Sequence, residues 1–429
     1  MKTRSVGLLG AISIGIGGMV GGGIFAVLGE AVSLAHGATA IAFLFAGFVA
    51  LLTSYSYAKL STTYQSLGGT VVFIDNAFGH NLLSSSINLM IWLSYLVTIA
   101  LYASAFASYA QTFFTINTYL LKHILISFAI ILPMIINLVS ASFVSKSETF
   151  IVIIKLSLLI IIILSGFSYI DIDRLEPEQW SNNLSIVVAG MIIFVAYEGF
   201  ELIANAAEDI KDPIKNLPRA FYGSVIFVIL LYVLISLVTV GTVPTEQLMK
   251  AKDYALAVAA KPALGQIGFI IVAIAALLST FSAINATIYG NSRLSFFLAK
   301  EGELPKKFTT KKRDIPVDGV VITVFFSLII ANTINLSEIA IIGSAGFLLI
   351  FSLVNFSAFK LSTTINANKL ITASSTIISL TALLTLLFHT YSNNPQAIYV
   401  FIAFILISIL FELIYGRFIR GHFFQRKYK

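Results

Sequence analysis

Along the chain, apolar stretches of membrane-spanning length follow one another with only short polar interruptions. They fall at roughly 7–34, 37–66, 82–114, 123–142, 148–169 and 185–207, then at 219–243, 265–299, 317–335, 337–360, 370–390 and 395–416. About 20 apolar residues at 1.5 Å rise cross a ~30 Å hydrocarbon core. The pattern therefore predicts an all-α, polytopic membrane protein with 12 transmembrane helices. Between the seventh and eighth spans, the segment 245–262 sets Glu246, Lys250, Lys252 and Asp253 among apolar positions. It reads as an amphipathic helix lying in the membrane interface.

Two of these spans break the apolar pattern from within. In the first, Gly15-Ile16-Gly17-Gly18-Met19-Val20-Gly21-Gly22-Gly23-Ile24-Phe25 holds six glycines in nine positions. Each costs about 1 kcal/mol in a helix interior. In the sixth, Ile193-Phe194-Val195-Ala196-Tyr197-Glu198-Gly199-Phe200-Glu201 places a glycine and two carboxylates in an apolar helix. A packed interface glycine explains either feature alone. Two breaks five spans apart point instead to inverted repeats with discontinuous helices around a solute site. The expected organisation is a transport core over 1–360 (repeats about 7–169 and 185–360), helices eleven and twelve within 361–416, and a basic tail, 417–429.

Composition supports the membrane reading. The 429 residues are 58% hydrophobic and 11% charged, with a mean hydropathy of +0.94, a balance outside the soluble range. The first segment lacks a small-residue cleavage pattern and reads as a retained helix, not a signal peptide. With no cysteine, thiolate metal sites and cysteine nucleophiles are excluded, and the five histidines have no metal-ligand spacing. There is no Walker A run, no His-Glu-x-x-His and no Gly-x-Ser-x-Gly. Neither an enzyme nor a cofactor or metal is expected, and no filter-like repeat suggests a channel.

Charge sets the expected orientation. With the N-terminus inside, twenty Lys and Arg fall in inward loops and tails, from Lys2 and Arg4 to the 306–313 and 417–429 runs. Five face outward: Lys122, Arg174, Lys250, Lys252 and Lys261. The positive-inside rule then places both termini in the cytoplasm of a cell inner or plasma membrane. The net charge of +7 is read as this asymmetry facing anionic lipid, not as nucleic-acid binding.

The broken spans also carry a family resemblance. Met19-Val20-Gly21-Gly22-Gly23-Ile24-Phe25 resembles the small-residue motif of the amino acid–polyamine–organocation (APC) superfamily. Glu208-Asp209-Ile210-Lys211-Asp212-Pro213 and Asn216-Leu217-Pro218-Arg219-Ala220 resemble its acidic, Asn/Asp-Pro and Pro-Arg-Ala signature. Ala299-Lys300-Glu301-Gly302-Glu303-Leu304-Pro305 is similar to its Asp-Gly-x-Leu-Pro form. The similarity covers nearly the whole chain and points, within the superfamily, to proton-coupled, broad-specificity ApcT-like transporters.

The resemblance implies a LeuT-type 5+5 inverted-repeat fold and a secondary active amino acid transporter, a sodium-independent proton symporter working by alternating access. An amino acid or polyamine exchanger and a non-transporting amino acid receptor remain the alternatives. By position, Gly21, Gly22, Gly23 and Ile24 would offer backbone N–H groups to the substrate carboxylate, in keeping with anion binding at a helix N-terminus. Carbonyls near Phe194, Ala196 and Tyr197 would receive its ammonium, with Phe194 and Tyr197 either gating the pocket or packing. Glu201 would stabilise or protonate the second break. Glu198, a departure from the family pattern, selects cationic substrates if it faces the pocket and is structural otherwise.

Lys155 interrupts the apolar run Phe150 to Ile160, seven residues and so ~10 Å past Glu148. An intramembrane charge costs at least ~2.5 kcal/mol and marks function, unless it snorkels to the interface. The resemblance implies that Lys155 stands where sodium-coupled relatives hold sodium, bound by a first-helix carbonyl (Gly17) and an eighth-helix hydroxyl (Ser279), with Ser282 as a candidate second hydroxyl. Protonated, it would tie the first, fifth and eighth helices; neutral, it would release them. Asn88, Tyr95 and Tyr102 on the third span line a pathway or pack. Asn285 and Tyr289 share a helix face and suit helix-to-helix hydrogen bonding. Asp75 reads as a gate or loop anchor. The side chain carried and the oligomeric state are not written in these motifs.

Overall fold

A computed structural model describes residues 4–115, 118–139, 141–311 and 315–421, the side chains of 141–150 and 420 excepted. The cations Lys2, Lys312, Arg313, Arg426, Lys427 and Lys429, and the side chains of Lys146 and Glu148, lie outside the described residues. The molecule is built almost wholly of helices. The first span is two pieces, α1 (Leu8–Met19) and α2 (Gly23–Ala35), bent by 49°. Then come α3 (Thr39–Thr63), a short α4 (Thr70–Phe78), α5 (Leu82–Gln111), α6 (Tyr119–Val139) and α7 (Ala141–Gly166). The sixth span is again divided, into α8 (Asn183–Ile192), a 3-10 turn (Ile193–Tyr197) and α9 (Leu202–Asn205). The second half continues with α10 (Pro213–Thr242), the short α11 (Thr245–Lys250) and α12 (Ala255–Ala259), and α13 (Lys261–Lys300). It ends with α14 (Val317–Thr333), α15 (Leu336–Lys360), α16 (Lys369–Asn393) and α17 (Pro395–Tyr415).

Among the described residues ten helices are long and apolar enough to span, and the bent α1–α2 pair makes an eleventh. The twelfth expected span is α14, whose 17 residues reach about 26 Å, short of a ~30 Å core. The single interfacial helix expected over 245–262 is corrected. Backbone turns at Ala251 and Tyr254 divide it into α11, a 3-10 turn (Lys252–Tyr254) and α12. This loop packs onto α2, and a Cβ at Gly29 would fall 1.8 Å from the Lys252 carbonyl oxygen.

The packing obeys an internal exchange rule. Renumbering span n as n+5 turns the α1–α10 contact into the α8–α3 contact, and α5–α15 into α13–α7. The rule also turns α5–α6 into α13–α14 and α5–α14 into α13–α6, while α3–α10, α5–α13 and α6–α14 map onto themselves. Such a set of contacts requires two halves related by a two-fold axis, which is the inverted repeat. Two isolated β-bridges, one parallel and one antiparallel, join segments that the same rule exchanges. Val6 pairs with Ile210, tying the residues before α1 to those after α9; His36 pairs with Trp180, tying the residues after α2 to those before α8. The like-sided halves of the two broken spans are thus lashed together at each membrane face.

Helix composition decides which spans are central. The α5 window is 94% buried and that of α6 only 22%. Ser, Ala and Thr recur along α5 and allow neighbours on all sides, while α6, α16 and α17 turn Leu120, Phe128, Leu384, Phe388 and Leu410 outward. The last two helices pack on α15, α3 and α5, outside the repeat.

Candidate functional site

The breaks meet at a backbone crossing. Gly199 adopts φ +119, where an L side chain is strained, and a Cβ there would lie 2.3 Å from the Gly18 carbonyl carbon. Conversely, a Cβ on Gly18 would lie 2.6 Å from the Gly199 oxygen. Only glycine at both positions lets the two spans touch. The glycine-rich first break is narrower than its composition suggests. The helix runs through Gly15, Gly17 and Gly18 and is lost only over Val20–Gly22. Close neighbours explain the helical glycines: a Cβ at Gly15 would collide with Ser224, as one at Gly18 would with Gly199.

A broken helix leaves carbonyls at one end and N–H groups at the other without partners. Four side chains meet them. Lys155 Nζ donates to the Gly17 carbonyl at 3.1 Å, at the negative end of α1; the lysine is 1% exposed. Ser279 Oγ on α13 donates to the Gly21 carbonyl and lies 3.4 Å from that of Val20. Tyr232 Oη on α10 lies 2.7 Å from the Met19 carbonyl oxygen and 3.2 Å from that of Ala196, bridging both breaks. Ser344 Oγ on α15 donates to Ile192 O (2.5 Å) and accepts from Val195 N–H (3.0 Å). Under the exchange rule α7 corresponds to α15, so Lys155 and Ser344 perform the same task in opposite halves. One is titratable and the other is not.

Beyond the crossing lies a cavity of about 190 Å³, lined by Ser13, Gly17 and Gly18 of α1, Thr70 and Val71 of α4, and Tyr95 and Tyr102 of α5. Glu198, Gly199 and Asn205 of the sixth span and Ala283, Thr287 and Asn291 of α13 also line it. Its walls are the start of the first span and the ends of the sixth and eighth, so it opens toward the face that bears the N-terminus. The opposite face is closed by the α11–α12 loop. There Lys252 pairs with Glu30 of α2 at 2.5 Å, Asp253 accepts from Ser108 (3.0 Å) and faces Lys122 (3.8 Å), and Ser337 donates to Glu30 (2.9 Å). Phe25 also packs edge-on against Tyr109.

One buried carboxyl, Glu198, lines the cavity, and a second, Glu201, is buried one turn further along the same span. Glu201 Oε2 accepts from Gly199 N–H (2.7 Å) and its Oε1 from Tyr95 Oη (3.1 Å). Glu198 Oε2 accepts from Tyr102 Oη at 3.3 Å, and the two carboxyls lie within hydrogen-bonding reach of each other.

The remaining sequence candidates divide cleanly. Gly21, Gly22 and Gly23 surround the first break but are sealed in this conformation: a Cβ at each would meet Ala283, Tyr102 and Ala196 respectively. The N–H groups of Gly23, Ile24 and Phe25 open α2 and precede any intrahelical acceptor. Phe194 and Tyr197 are wholly buried, against Phe351 and Tyr232, and neither lines the cavity. The Ala196 carbonyl faces Tyr232. Ser282 is buried one turn beyond Ser279 on α13. Asn285 accepts from Asn137 at 2.8 Å, bridging α13 and α6, and Asp75 accepts from Asn88 at 3.1 Å, anchoring α4 to α5. Tyr232 and Ser344 lie outside the sequence motifs. A lone hydroxyl in the apolar run Ile229–Leu234 is the signal that marked the first; a serine among small residues carries none.

Comparison with known proteins decides the class. Residues 6–411 match the family model described as amino acid permease. The chain belongs to the amino acid permease family. The permease is 34% identical to an uncharacterised protein of Methanocaldococcus jannaschii, over 100% of this chain and 99% of that one. It is 32% identical to the inner membrane transport protein YbaT of Escherichia coli, over 96% and 97%. It is 25% identical to the methylthioribose transporter of Bacillus subtilis, over 81% and 79%. With its ten or eleven candidate spans among the described residues, the chain is a multi-pass membrane transporter and not an enzyme.

Proposed function

We propose that the permease is a sodium-independent amino acid–proton symporter that works by alternating access, with both termini in the cytoplasm and the cavity open to the inside. The observation that carries this reading is the Lys155–Gly17 bond at the end of α1. A fixed ammonium there supplies the positive charge that a bound cation would otherwise supply at those free carbonyls. Protonated, Lys155 holds α7 against the break; deprotonated, it no longer balances the dipole end, and α1 is free to swing.

The substrate carboxylate binds Gly21, Gly22, Gly23 and Ile24 N–H groups once Tyr102 withdraws from Gly22, and its ammonium binds carbonyls of the second break. The amino acid class rests on the family description; the B. subtilis relative's name warns that the side-chain pocket of this fold is adaptable. The test is uptake of labelled leucine and alanine into proteoliposomes. An inward proton gradient stimulates wild-type uptake and leaves Lys155→Ala uptake unchanged. Gradient-stimulated uptake by Lys155→Ala would refute the coupling role, and uptake that requires internal amino acid but no gradient would make the protein an exchanger.

A further inference from the structure

Glu198 is the one carboxylate of the broken spans that faces the cavity, and its position is not explained by packing. Glu201 has both oxygens met by protein donors, Gly199 N–H and Tyr95 Oη. Glu198 has one oxygen met by Tyr102, and among the described residues no Lys, Arg or His pairs with it. A carboxylate 4% exposed needs a proton or a cation beside it. Carboxylates only accept hydrogen bonds, so two in mutual reach bond only through one shared proton.

We propose that Glu198 is the subsite for a cationic substrate side chain, the ammonium of lysine or ornithine or the guanidinium of arginine, and that this cation displaces the proton shared with Glu201. The pair holds the proton or the cation, never both, and the displaced proton leaves through the open cavity. The spacing suits such a ligand. Tyr102 lies against Gly22 with its ring edge and reaches Glu198 with its hydroxyl. The carboxylate site at the first break and Glu198 are thus about one tyrosine side chain apart, a gap that an extended basic amino acid bridges.

Few other groups compete for the proton. Around the pair stand Tyr95 and Tyr102 on α5, Tyr232 on α10 and Tyr57 on α3, whose ordinary titration lies near pH ~10. The α13 wall offers Thr287 and Asn291, which do not titrate. Lys155 lies behind α1 on the Gly17 carbonyl and acts on every substrate alike, whereas displacement at Glu198 acts on cationic ones only.

This inference rests on the amino acid reading above, and the experiment separates the two. Competition binding to the purified protein uses labelled leucine as probe, with unlabelled lysine and alanine as competitors across a pH series. Lysine competes more strongly as pH rises, approaching tenfold per pH unit for one displaced proton, while alanine shows no such slope. In Glu198→Gln the lysine-to-leucine affinity ratio falls at least tenfold and the lysine slope vanishes; Glu198→Asp restores the slope. Leucine binding without lysine competition would overturn this inference alone. Equal loss of leucine and lysine in Glu198→Gln would also overturn it, by assigning Glu198 to the α-ammonium common to all amino acids. No binding of either by the wild type would overturn the amino acid reading and this inference together.

Discussion

At the scale of single residues, the broken spans are held by groups whose removal has distinct consequences. Gly199→Ala places a methyl in the Gly18 backbone and forces φ +119 on an L residue. A loss of ~3 kcal/mol or more is expected, read as a lowered melting temperature in detergent with little folded protein recovered. Tyr232→Phe leaves the Met19 and Ala196 carbonyls without their shared donor, at about 1–3 kcal/mol. Its melting temperature falls less than that of Gly199→Ala, and its uptake falls because both breaks lose one anchor. A Tyr232→Phe protein with unaltered stability and uptake would show that the bridge does nothing. The sequence made Lys155 legible because a charge in an apolar run has a known cost. Glu198 was legible as an oddity only, since which way it points depends on the 3-10 turn that precedes it and on the left-handed Gly199. The Gly18–Gly199 contact was not legible at all, because small residues near a break look alike whether they end a helix or admit a neighbour.

At the scale of elements, the two β-bridges make the like-sided halves of the broken spans into joint levers. The chain has no native cysteine, so paired cysteines report this directly. A disulfide between Val6→Cys and Ile210→Cys, bridge partners at a separation a disulfide spans, leaves uptake intact because α1 and α9 travel together. Loss of uptake on oxidation, restored by reductant, would show that the two halves must separate. The divided spans themselves followed from sequence, since glycines and carboxylates cannot continue an apolar helix cheaply. The division of 245–262 did not, because the amphipathic pattern persists through the turns and only packing onto Gly29 shows where the loop bends.

At the scale of the whole molecule, the cavity is open on the N-terminal face and the loop carrying Lys252 and Asp253 shuts the other. The Lys252–Glu30 pair is partly exposed, and such a pair is worth on the order of 1 kcal/mol, enough to shift a two-state ratio about fivefold. Lys252→Ala therefore moves the population toward the state open on the opposite face. A membrane-impermeant maleimide tests this at Thr287→Cys, in the cavity wall: reagent on the N-terminal face labels it, and Lys252→Ala slows the labelling. Unchanged labelling would deny the loop a closing role. The inverted repeat was legible from the spacing of the two breaks, and the exchange rule in the helix packing bears it out. The conformation was not legible, since one sequence must encode both open faces.

The coupling claim is tested most directly by watching the proton itself. Permease is reconstituted in liposomes holding a pH-sensitive dye, with no pH gradient imposed, and leucine is added outside. Proton coupling through Lys155 predicts acidification of the lumen on leucine addition to wild type, none on addition of sodium alone, and none with Lys155→Ala. Leucine entry without acidification in the wild type, or acidification that persists in Lys155→Ala, would contradict it.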